Sequence, residues 1–93
     1  MKKENLKPFE ELDEFTEFGS YLCNMDTMKF IGDITDLGGK VWVYDDDNPY
    51  DTIYIDVTKI NKKDLIKMFV MIGKHKPNEI DEIGHNMIRI WWD

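Results

Sequence analysis

Only one cysteine, Cys23, occurs in the 93 residues, so neither an internal disulfide nor a multi-thiolate zinc site can form. No His or Arg lies near it in sequence to lower its thiol pKa, and it reads as a small buried hydrophobe. Serine is as scarce. A Ser-His-Asp arrangement would have to use Ser20, which has no elbow motif around it. There are two histidines. His75 suits the negative end of a helix dipole, and Glu82 with His85 makes one Glu-x-x-His pair where a carboxylate-bridged metal centre needs two. No apolar run is long enough to span a bilayer. Met1-Lys2-Lys3 resembles the start of a signal peptide, but Glu4-Asn5 follows in place of an apolar core. The expectation is a cytoplasmic, non-enzymatic protein with no cofactor and no metal.

Positive charge is also in short supply. Nineteen acids stand against 12 Lys and Arg, a formal charge of -7. That balance opposes nonspecific contact with nucleic acid or anionic membrane and leaves a basic protein as the natural partner. The distribution is uneven. Residues 1 to 58 are strongly acidic, whereas residues 59 to 76 hold Lys59, Lys62, Lys63, Lys67, Lys74 and Lys76 against Asp64 alone.

What is present in quantity is strand-forming residues at a period of two. Lys40 to Val57 reads as two strands joined by an acidic loop. Val41, Val43, Ile53, Ile55 and Val57 share one face, and Trp42, Tyr44 and Tyr54 share the other. Asp45-Asp46-Asp47-Asn48-Pro49-Tyr50-Asp51 joins them, with Asn48-Pro49 starting a turn. The loop is rich in oxygen but lacks the spacing and the terminal Glu of a calcium loop. Lys29 to Ile34 reads as a further strand, weakened by Gly32. Thr35 to Gly39 then folds it back onto Lys40 to Tyr44. Met87 to Trp92 is the last strand, with Ile88, Ile90 and Trp92 on one face and Met87, Arg89 and Trp91 on the other.

Two segments carry helical spacing. Phe9 to Phe18 places Phe9, Leu12 and Phe15 on one side and Glu10, Asp13, Glu14 and Glu17 on the other. Asn61 to Gly73 begins with an Asn N-cap and Asp64 three residues on, and Pro77 prevents its continuation. Leu65, Met68, Phe69 and Ile72 form its expected buried centre, with Ile66 beside them. Lys63, Lys67 and Lys74 lie opposite, and Met71 is expected to be partly exposed. Asn78 to Ile83 suits one more helical turn, with a hairpin at Gly84-His85-Asn86 as the competing reading. Tyr21 to Cys23 suits either a strand or a helical extension.

The expected fold is a single α+β domain over residues 1–93, with residues 1–8 flexible. An N-terminal helix precedes a three-strand antiparallel meander, and an amphipathic helix packed on the sheet precedes a final strand.

Binding readings fit this composition better than catalysis. In the first, carboxylates stand in for phosphates. Glu10, Glu11, Asp13, Glu14, Glu17, Asp45, Asp46, Asp47 and Asp51 occupy the basic groove of a nuclease or other nucleic-acid-binding protein, and charge complementarity speeds association. In composition the chain resembles small acidic phage and mobile-element inhibitors, anti-CRISPR proteins among them, and also immunity proteins and antitoxins. In the second, Trp42, Tyr44, Tyr54 and Trp91 gather on one sheet face as an anchor patch, unless the N-terminal helix covers them. In the third, the lysine-rich helix contacts nucleic acid directly, a reading the overall charge disfavours. The expected state is a monomer or weak homodimer.

Overall fold

The computed structural model describes residues 6–8, 27–44, 51–84 and 86–92. Within them the chain is α+β: β1 (Leu6–Pro8), α1 (Thr27–Asp36), β2 (Lys40–Tyr44), β3 (Thr52–Asp56), α2 (Lys62–Lys74), β4 (Glu79–Glu82) and β5 (Met87–Trp91). The strands make one antiparallel sheet in the order β1-β2-β3-β5-β4. The helix expected over Phe9 to Phe18, the segment around Cys23, the Asp45–Tyr50 part of the acidic loop and His85 lie outside the described residues.

The alternating segments form strands for the reason their period implies. Val41, Val43, Ile53 and Ile55 are all buried on one sheet face, joined from β5 by Ile88 and Ile90. Both helices lie over that face. Phe30, Ile31 and Ile34 of α1 and Met68 and Ile72 of α2 complete the core with Ile60 and Trp92.

Lys29 to Ile34 is not a strand. It is the body of α1, and the expected meander is therefore the β2–β3 hairpin alone. Thr27, Phe30, Ile31 and Ile34 recur at the i, i+3, i+4, i+7 spacing of a helix face, and all four are buried. A strand would have put Gly32 on the face with Phe30 and Ile34 and turned Ile31 to water. The place beside β2 is taken instead by β1, so three residues of the expected loose start are paired, Pro8 opposite Trp42 on an edge strand where a missing N–H is tolerated.

Asn78 to Ile83 does not continue as a helical turn. Residues 79–82 pair with β5, and the hairpin closes through Ile83 N–H to the Met87 carbonyl at 3.0 Å and Met87 N–H to the Gly84 carbonyl at 2.8 Å. Gly84 at φ 104° and Asn86 at φ 60° supply the left-handed turn geometry. Non-local pairing outweighs the weak β propensity of Glu-Ile-Asp-Glu.

α2 begins as expected, with the Asn61 side chain accepting from the Asp64 N–H at 2.9 Å. It runs through Gly73 to Lys74, with His75 as its C-cap. Its buried line is narrower than the sequence reading. Met68 and Ile72 are fully buried, Leu65 and Met71 pack at the margin, and Phe69 is 38% exposed. Ile66, at 67% exposed, and Val70 face outward. The stripe is centred on Met68 and Ile72, and Phe69 lies at its exposed edge.

Candidate interaction surfaces

Three surfaces come from the sequence reading, and a fourth from the packing of the helices. Most of the acidic set lies outside the described residues: Glu10, Glu11, Asp13, Glu14, Glu17, Asp45, Asp46 and Asp47. Asp51 is described, and its carboxylate is turned into the fold. One oxygen accepts from the Thr52 hydroxyl at 2.8 Å and the other from the Trp91 indole N–H at 3.4 Å. It holds the start of β3 against the end of β5.

The second sheet face collects the aromatic residues through register. Trp42, Tyr54, Arg89 and Asp81 are successive partners across β2, β3, β5 and β4, and Thr52 pairs with Trp91 one row away. Tyr44 ends β2, opposite Leu6. The row is already well covered: Tyr54 is 7% exposed, and Trp42 and Trp91 are half-buried. The Lys40 ammonium lies 4.5 Å from the Trp42 ring centroid, a cation–π contact. Trp42 Nε1 is buried without a hydrogen-bond partner among the described residues. Arg89 closes the row by donating to Asp81 at 2.7 Å and Glu79 at 3.3 Å. Burial opposes the guanidinium charge, but the hydrogen bonds and charge of Glu79, then Asp81, outweigh it and raise the Arg89 pKa. The sequence reading missed this cluster because Glu79 and Asp81 share a face only if 79–82 is a strand.

The third surface is basic. Lys59, Lys62, Lys63, Lys67, Lys74 and Lys76 are all exposed, on α2 and the turns flanking it. Asp64 approaches Lys67 at 3.9 Å, an ordinary surface pair of the kind that adds little stability.

The fourth surface is a groove between the helices of about 510 Å³, lined by Asp33, Asp36 and Leu37 of α1 and its C-terminal turn and by Ile66, Lys67, Val70 and Met71 of α2. Its floor is apolar, its α1 lip acidic and its α2 lip basic. Periodicity assigned Ile66 to the interior, which is why the groove was not legible.

Among the described residues no helix is long and apolar enough to cross a membrane. No group of three or more His, Cys, Asp or Glu among them is arranged to hold a metal ion. No protein family, curated protein or solved structure matches the chain.

Proposed function

We propose that this chain is a small acidic, non-enzymatic protein that binds and blocks a basic nucleic-acid-handling protein, with its carboxylates taking the place of phosphates. The observation that carries the reading is where the charge lies. The stretch 9–26 holds six acids and no base, and 45–50 holds three acids and no base. The folded framework between them carries acids and bases in near balance. Surplus negative charge is thus confined to two stretches and is not spread over the surface as a general aid to solubility.

The fold supports their joint use. The chain leaves 45–50 at Asp51, whose carbonyl accepts from the Trp92 N–H at 3.1 Å. It leaves 9–26 at the first turn of α1, where Phe30 meets the Trp92 ring edge-on at 6.2 Å. Asp51, which follows one stretch, and Phe30 in the first turn of α1, which follows the other, thus both contact Trp92. A basic channel of the partner would draw in such a surface by long-range attraction.

The test is to recover the partner with the intact chain from a lysate of the encoding organism and measure association rates against salt. Asp45, Asp46 and Asp47 are changed together to Asn, and separately Glu10, Asp13, Glu14 and Glu17 to Gln. At least one set should slow association, most strongly at low salt, because salt already screens the wild type over about 10 Å at 0.1 M. Unchanged rates for both sets, with binding lost in Trp42→Ala/Tyr54→Ala that stays folded, would move the interface to the aromatic face. A mobility shift of plain RNA or DNA at low salt would move it to the lysines of α2.

A further inference from the structure

We infer that the groove between α1 and α2 is a self-association surface, and that a second copy of this chain fills it. Two of its apolar residues, Ile66 and Val70, take no part in the core, while Leu37 and Met71 pack against the core's edge. Ile66 at 67% and Val70 at 55% remain exposed beside Leu37 and Met71, after the sheet face is covered.

The choice of a second copy rests on charge. Asp33 and Asp36 lie along the α1 lip and Lys67 along the α2 lip, with Lys63 and Lys74 one and two turns away on the same side of α2. A two-fold axis running along the groove sets α1 of one copy over α2 of its partner. Each acidic lip then meets a basic lip, twice by symmetry, with the apolar floors between them. The chain carries both halves of the complement, so no foreign surface is required.

Asp36 adds an independent reason. It stands in the last turn of α1, next to the negative end of the helix dipole, and that turn has no basic residue. Asp33 is held by Lys29 at 3.0 Å, whereas Asp36 has no ion pair among the described residues. α2 follows the opposite and favourable pattern, with Asp64 in its first turn and Lys74 in its last. An acid misplaced in its own helix is in place if a lysine from a partner faces it.

Sedimentation velocity over a concentration series, on the full chain near physiological salt, tests the inference. The wild type should pass from monomer to dimer as concentration rises. Asp36→Lys and Lys67→Glu should each weaken the dimer by about tenfold or more, since each reversal sets like charges together twice. An equal mixture of the two variants should regain a dimer. Val70→Asp should abolish association, and circular dichroism should show each variant to be folded. A wild type that stays monomeric to its solubility limit overturns the inference. So does a dimer indifferent to all three substitutions, or a pair of reversals that fails to recover on mixing. Capture of a foreign helix in the groove of a monomeric protein also overturns it. These readouts need no partner protein, so their failure is distinct from failure of the proposed inhibitory role.

Discussion

The Trp92 indole N–H donates to the His75 carbonyl at 2.9 Å. That bond ties the residue after the last strand to the C-cap of α2, and Phe30 of α1 packs edge-on against both His75 and Trp92. Sheet, α1 and α2 meet at this one side chain, which is 1% exposed.

Trp92→Ala should therefore be the most damaging single change on the sheet. It removes a large buried side chain and leaves a cavity, at a cost of about 3–5 kcal/mol. A domain of this size is stable by only about 5–15 kcal/mol, so much of that margin would go. Trp92→Phe keeps most of the packing and loses the hydrogen bond, and should cost about 1–2 kcal/mol. Urea unfolding would rank the two. Equal midpoints for Trp92→Ala and wild type would show that the three elements do not meet here.

The face of α2 can be checked with adjacent residues. Met68 is fully buried and Phe69 is 38% exposed. Met68→Ala should cost about 2–5 kcal/mol, whereas the larger truncation Phe69→Ala should cost clearly less. The reverse order in thermal unfolding would restore the stripe centred on Leu65, Phe69 and Ile72.

Glycine substitutions distinguish a helix from a strand at residues 29–34. Gly32 is exposed within α1, and a Cβ there meets nothing within 4 Å. Gly32→Ala should stabilise the protein by roughly 0.5–1 kcal/mol through helix propensity. Gly39 is the opposite case. A Cβ there would lie 2.8 Å from Ile34 Cγ2 and 3.3 Å from Ile55 Cγ2, and both isoleucines are fully buried. Gly39→Ala should cost about 1–3 kcal/mol by overpacking. If Gly32→Ala destabilises instead, α1 is not the structure of this segment in solution.

These residues also show what the sequence could reveal. β2, β3 and β5 were legible because each alternates, and the alternation names the face of all three that meets the helices, although Thr52 and Tyr54 on the other face of β3 are buried as well. The start of α2 was legible because Asn61 and Asp64 form a cap that depends on local geometry alone. α1 was not legible although its burial follows a helical period, since Thr27 is polar and Gly32 weakens a helix and a strand alike. In the sequence β4 is undecided between a helical turn and a hairpin at Gly84-His85-Asn86, because its pairing with β5 is decided ten residues away while the local Asn78–Asp81 pattern imitates a cap; the hairpin is the one that forms. The candidate surfaces divide in the same way. The lysines of α2 and the shared face of Trp42, Tyr54 and Trp91 follow from periodicity. The helix groove and the Arg89 cluster depend on how elements pack.

Asp51 should part company with the other acids proposed for partner binding. Both of its carboxylate oxygens accept hydrogen bonds, from the Thr52 hydroxyl and the Trp91 indole. Asp51→Asn replaces one acceptor oxygen with an amide that can only donate, so one of the two bonds is lost. Thr52 is 4% exposed, which leaves its hydroxyl with little water to turn to. The expected cost is about 1.5–3 kcal/mol, the usual range for a hydrogen bond to a charged group. It should appear in chemical denaturation and persist at high salt, because it comes from a short-range hydrogen bond. Changing Asp45, Asp46 and Asp47 to Asn should leave stability level or raise it slightly by relieving self-repulsion, an effect that salt erases. Measured side by side, the two variants separate structure from recognition within a single loop. A neutral Asp51→Asn would return Asp51 to the binding set, and a destabilised triple variant would give the loop a structural role.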